Sequence, residues 1–182
     1  MSKTPANTPV VASEDVPWLT PEEQSAWLGA AALMVRLPSA LDAQLQEDAG
    51  LNFFEYMVLA VLSEQDDRSL QMSDIARGVS SSLSRLSHTV GRLEKQGFVQ
   101  RTRLPGAGRK TMATLTDAGM EKIVASAPGH VKHVRKLLID AVSADHLRAL
   151  GEVGRAVVHQ IDPAGESGDE ELWPRTDWSA DN

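Results

Sequence analysis

One stretch constrains this chain more than any other: Met72 to Leu115, MSDIARGVSSSLSRLSHTVGRLEKQGFVQRTRLPGAGRKTMATL. A short helical pattern leads into a Ser-rich turn, a longer amphipathic segment and two β-like runs. From about Ser82 to Gln96, Leu83, Leu86, Val90 and Leu93 recur at steps of three and four, which places them on one core-facing stripe. Ser84, Arg85, His88, Arg92 and Lys95 fall on the opposite side, with Ser87 on its flank. Gly97 closes the helix as a left-handed cap. Phe98–Arg103 and Lys110–Leu115 read as strands, joined by the tip Leu104–Arg109. Helix, turn, helix and hairpin in this order predict a winged helix-turn-helix.

The outward face of the longer helix carries chemistry as well as pattern. Its first turns are short and polar, and its end is basic. A recognition helix has this layout, because its first turns enter the major groove with hydrogen-bonding side chains and later bases meet phosphate. An ordinary exposed helix would favour Glu, Lys and Ala, whereas five serines fall within residues 80–87, and Ser is a mediocre helix former. Residue choice therefore favours readout of duplex DNA. Arg109, in the tip, is expected to reach a minor groove or adjacent phosphates.

The net charge of −7 argues superficially against such a partner. From Arg68 to Lys110, however, nine bases face two acids, a local charge of +7, leaving −14 for the rest of the chain. That separation attracts phosphate locally while the remaining surface repels it. With no cysteine, disulfides, thiolate metal sites and thiol redox sensing are excluded. Neither a signal-peptide pattern nor a membrane-length apolar run is present, so a soluble, cytoplasmic protein is expected.

The flanks read as helices. Residues 1–16 are polar and aperiodic, a disordered tail. Thr20, Pro21 and Glu23 open a helix with a capping box, and Trp27, Ala30 or Ala31, Met34, Leu37, Leu41 and Leu45 give it one apolar stripe. Pro38 predicts a kink or short break near Leu37. So long a stripe exceeds what one small domain covers, so residues 17–48 are expected to bury it against a partner. Gly50 ends that helix and Asn52 caps the next, which carries Phe53, Tyr56, Met57, Leu59, Ala60 and Leu62. A polar loop, a minimal strand at Ser69–Gln71 and a helix capped by Ser73 follow, with Ile75, Ala76 and Val79 inward and Gly78 helping to close it. Thr116 caps a helical region interrupted at Pro128–Gly129, and Ser143 caps a last helix bearing Leu147, Leu150, Val153, Val157 and Ile161. Residues 162–182, with seven acids and one base, form an acidic disordered tail in which Trp173 and Trp178 stand apart.

The runs Ile75-Ala76, Leu86-Ser87-His88-Thr89-Val90-Gly91-Arg92-Leu93-Glu94-Lys95-Gln96-Gly97-Phe98-Val99-Gln100-Arg101 and Leu115-Thr116-Asp117-Ala118-Gly119 resemble the MarR family of bacterial transcriptional regulators. The similarity spans about Leu19 to Ile161. It implies a mainly α homodimer, in which the first and last two helices of each chain interlock and a small β-hairpin forms the wing. Residues 51–116 would be the DNA-binding region and 117–161 the C-terminal dimerisation helices. Such regulators usually repress palindromic operators in double-stranded DNA, and many release it on binding a small aromatic or anionic effector. Ser84, Arg85, Ser87 and His88 occupy positions where members contact bases, and Arg92 one near phosphate. Arg109 matches the Arg of the wing's Asp-x-Arg pattern, but Pro105–Gly108 lacks the acidic partner. His88 stands where Arg is frequent, and Gly91 replaces a common polar residue. The expected DNA-contacting set is Ser82, Ser84, Arg85, Ser87, His88, Arg92, Arg103, Arg109 and Lys110.

Rival chemistry is thin. No Gly-rich phosphate loop, nucleophile set or carboxylate pair points to an enzyme, and no cofactor is expected. His130 and His133 are spaced for zinc, but without an evident third ligand they read as solvated histidines on a dimer helix. Trp27, Met34, Arg36, Phe53 and Tyr56 are effector-pocket candidates by position, against the plainer reading of the apolar ones as core. The alternative function is a dimeric winged-helix protein-interaction module without ligand response, which uses its basic face for an acidic protein.

Overall fold

The computed structural model describes residues 16–103 and 110–162. Apart from Val16 and Asp162, the expected tails lie outside the described residues, as does the wing tip with Arg109. The chain divides into two compact units, one ending at Arg36 and one beginning at Leu37.

Local capping sets where the helices start. In α1 (Pro21–Ala49), Thr20 Oγ1 accepts from the Glu23 backbone N–H and the Glu23 carboxylate accepts from the Thr20 N–H, so the capping box forms. The break anticipated at Pro38 does not occur; α1 continues as helix straight through it. Proline removes one N–H from the ladder, but its fixed φ is itself helical, so a long helix can continue past it. Gly50 ends the helix with φ +62, a conformation that costs glycine nothing. Asn52 then opens α2 (Phe53–Ser63) with a second reciprocal box, its Oδ1 accepting from Glu55 N and Glu55 Oε2 accepting from Asn52 N.

The second unit has its core around α2. Leu45, Leu51, Val58, Leu59, Leu62, Ile75, Leu86, Val90 and Leu93 are fully enclosed. Strand β1 (Ser69–Gln71) leads into α3 (Met72–Gly78), whose first helical residue is Met72. Ser73 is therefore not the cap: Gln71 occupies that position without a side-chain hydrogen bond, because the chain turns directly from strand into helix. Gly78 is the last helical residue, and Ser80 supplies the left-handed turn at φ +47.

α4 (Leu83–Lys95) is capped by Ser82, whose Oγ accepts from Arg85 N. Leu86, Val90 and Leu93 are 0% exposed as expected, but Leu83 is 54% exposed. At the first position of the helix it projects beyond the layer that covers the later turns. Thr89, not expected inside, is buried instead. Gly97, at φ +80, turns the chain into β2 (Val99–Arg103), which pairs antiparallel with β3 (Thr111–Leu115). β3 also pairs with β1, giving the order β1-β3-β2. The fold is thus mainly α with a small winged sheet.

α5 (Asp117–Leu137) begins at a Thr116 cap and runs through Pro128 and Gly129 without the expected interruption. The carbonyl that loses its partner to Pro128 belongs to Val124, which is 62% exposed, so solvent can satisfy it. A single 3-10 turn at Ile139–Ala141 separates α5 from α6 (Ala144–Ile161), capped by Ser143. Among the described residues, no helix is long and apolar enough to cross a membrane.

Candidate nucleic-acid interface

α4 presents the expected polar face. Ser82, Ser84, Arg85, Ser87 and His88 are exposed along its first two turns, above the buried Leu86 and Val90. Arg85 is held at both ends: its backbone N–H is 3.2 Å from Ser82 Oγ, and its guanidinium lies 4.3 Å from the centroid of the Phe54 ring. Arg92, two turns further on, stays 57% exposed at its side chain but pairs at 3.0 Å with Glu55 Oε1. Glu55 is buried, and its other oxygen serves the α2 capping box. Arg92 is thus a tethered cation rather than a loose one.

On the other flank of α4, a groove of about 400 Å³ opens between Leu83, Ser87, Met72, Ser73, Lys110 and Thr111. Lys110, just before β3, shares this groove with Leu83 and Ser87 of α4, and Arg103, at the end of β2, is exposed. Arg109 lies outside the described residues. Arg101 also lines this groove, but its charge is paired within the chain. Its side chain donates to Glu94 at 2.6 and 3.0 Å and its backbone N–H at 3.2 Å. Those hydrogen bonds hold the Glu94 carboxyl below the usual carboxylate range. Their structural effect is to lock the end of α4 to β2, and so to fix the wing against the helix.

The effector candidates do not behave alike. Trp27 and Met34, in the first unit, are 54% and 58% exposed rather than core, and Arg36 is exposed as well. In the second unit Tyr56 is buried, and burial followed by the nearby Glu64 charge pushes its hydroxyl up to about 12. Phe53 is half-buried. His130 packs on both rings, 4.4 Å from Tyr56 and 6.1 Å from Phe53 between centroids, so it is not the solvated histidine expected. Among the described residues no three His, Cys, Asp or Glu side chains gather as metal ligands. A cleft of about 550 Å³ lies between Pro38, Asp42, Phe54, Met57, Arg85 and Arg92.

Two residues at this face were missed from sequence, Phe54 and Glu55. Both belong to α2 and reach α4 only through the tertiary fold. Glu55 left one visible signal: it is the only charged side chain in the run FFEYMVLAVLS.

Comparison with known proteins agrees with this geometry. A profile of the MarR family matches residues 49–110, from the end of α1 to the residue before β3. HTH-type transcriptional regulator YdgJ of Bacillus subtilis (strain 168) is 29% identical over 104 residues, 57% of this chain; the chain spans only 62% of that relative's length. The crystal structure of AbsC, a MarR family transcriptional regulator from Streptomyces coelicolor, superposes with TM-score 0.75 at 33% identity, covering 80% of this chain and 98% of that one. Sco3205, a MarR family transcriptional regulator from the same organism solved in complex with DNA, gives TM-score 0.79 at 39% identity over 84% of this chain and 95% of its own. A likeness of that depth, over nearly the whole of a related chain, establishes that this protein belongs to the MarR family of transcriptional regulators.

Proposed function

We propose that this protein is a homodimeric, sequence-specific DNA-binding regulator that represses transcription from palindromic operators and is released by a small aromatic or anionic ligand. One observation carries the reading. Ser84, Arg85, Ser87 and His88 stand exposed on the first turns of α4, with Arg92 in its last turn and Lys110 across a shared groove. Short hydrogen-bonding side chains suit base edges, and the surrounding cations suit phosphate. That the related Sco3205 was solved in complex with DNA supports DNA as the partner. For the homodimer, the support is α6, an 18-residue helix with no buried residue and with Val153, Val157 and Ile161 all exposed. For ligand release, it is the cleft of about 550 Å³ beside Arg85 and Arg92.

The test is selection of bound duplexes from a random pool, followed by footprinting, and repeated with aromatic acids present. A palindromic consensus that the acids weaken is the expected result. A chain that enriches no sequence and leaves no footprint would defeat the proposal and favour an acidic protein partner for the basic face.

A further inference from the structure

We infer that Phe54 and Glu55, at the start of α2, are positioning residues that aim the two arginines of α4 and so set sequence preference without reaching DNA themselves. The inference rests on the DNA-reading role proposed for α4. Arg85 and Arg92 are seven residues apart, two helical turns, and therefore project from one side of α4. Each meets a different chemistry from adjacent positions of α2. The Phe54 ring lies beneath the Arg85 guanidinium, centroid 4.3 Å away. The Glu55 carboxylate pairs with Arg92 Nη2 at 3.0 Å.

Neither anchor is itself loose. Glu55 is 4% exposed, and its Oε2 accepts from Asn52 N at 2.9 Å, so capping of α2 fixes the carboxylate before Arg92 arrives. Phe54 packs against the hydrophobic core. Next to it, Phe53 N donates to Asp42 Oδ1 at 2.7 Å, which pins the first turn of α2. An arginine left to water samples many rotamers and must lose that freedom on reaching a base or a phosphate. One already placed over a ring or paired with a carboxylate has lost part of it beforehand. Arg85 stays exposed while its guanidinium lies over the ring, so N–H donors remain open to a ligand.

The two anchors have separable signatures. Phe54→Leu keeps an apolar side chain and removes the π face; the duplex selected by the native protein should bind about fivefold more weakly. A random duplex of equal length should bind unchanged. Phe54→Tyr, which restores a ring, should recover the preference. Glu55→Gln keeps an oxygen for the Asn52 cap but no charge for Arg92. It should lower the ratio of selected to random affinity without lowering random-duplex affinity, since a nearby negative charge has been removed.

The experiment is titration of native, Phe54→Leu, Phe54→Tyr and Glu55→Gln full-length proteins on the selected and the random duplex. Loss of preference alone, recovered by Phe54→Tyr, supports the inference. Equal losses on both duplexes would make Phe54 a structural residue only and overturn it, as would unchanged preference in Phe54→Leu and Glu55→Gln. If the native protein itself fails to discriminate the two duplexes, it is the proposed DNA-reading function that has failed.

Discussion

Arg85 sits at the third position of α4, where its backbone is tied into the Ser82 cap and its guanidinium is stacked on Phe54. Arg85→Ala should weaken the selected duplex by about 1–3 kcal/mol and relax preference at one base position. A loss of equal size on every sequence would reassign it to phosphate. His130 poses a different problem at the same scale. Its Nδ1 is buried with no hydrogen-bond partner among the described residues. Burial, and secondarily the neighbouring His133, lowers its pKa below the usual 6.5. As pH falls through that value the unfolded chain takes up the proton first, so the folded state loses stability and does so until the lower folded-state pKa is passed. His130→Phe keeps a ring against Tyr56 and removes the titration. Its urea midpoint should therefore change less than the native one between about pH 7 and about pH 5. Equal changes in the two proteins would show that His130 is not the group responsible.

At the scale of elements, two glycines predict opposite outcomes. Gly119 lies in the first turn of α5, against the turn that precedes β2. A Cβ there would collide with the Phe98 carbonyl oxygen and stand 2.6 Å from Leu115 Cδ1. The same carbonyl accepts from Thr116 N at 3.0 Å, so the backbone has little room to move. Gly119→Ala should cost about 1–3 kcal/mol by overpacking. Gly91, inside α4, has only Arg101 Nη2 near, at an ordinary 3.8 Å. Gly91→Ala should instead stabilise by about 1 kcal/mol. Urea unfolding of both variants reads the two signs, and a reversal of either would refute its packing argument. The elements most legible in the sequence were those set by local chemistry. Thr20, Asn52, Thr116 and Ser143 all cap the helices expected of them. Periodicity also located Leu86, Val90 and Leu93, but it carries no information about where the core stops, which is why Leu83 was misplaced. Pro38 and Pro128 misled because a proline signals a lost hydrogen bond, whereas continuation depends on whether the rest of a long helix tolerates one. Of the candidate interface, the polar face of α4 was readable from spacing. The Phe54–Arg85 and Glu55–Arg92 contacts were not, since residues more than thirty positions apart are joined only by the fold.

At the scale of the molecule, exposed apolar surface on two separate stretches demands an explanation. In the first unit Trp18, Trp27, Leu28 and Met34 are each more than half exposed, at 69%, 54%, 59% and 58%. In the second, α6 exposes Val153, Val157 and Ile161 at 59%, 51% and 77%, spaced four residues apart along one side of the helix. Large residues gathered in this way normally mark an interface. The homodimer proposed above would supply a second copy as that occupant, and a two-fold pair of α4 helices can meet half-sites about 34 Å apart in adjacent major grooves. Val157→Glu places a charge in the middle of the α6 stripe, on a side chain 51% exposed in a helix with no buried residue, so folding of the single chain should be spared. Sedimentation at micromolar concentration should show a dimer for the native protein and a shift toward monomer for the variant. Affinity for the full palindrome should fall steeply, while affinity for a single half-site stays close to native, because each chain keeps its own α4 and wing. A variant that remains dimeric with native affinity for the palindrome would take α6 out of the interface. Equal losses on palindrome and half-site would show instead that the substitution had damaged the DNA-contacting fold rather than the pairing of two copies.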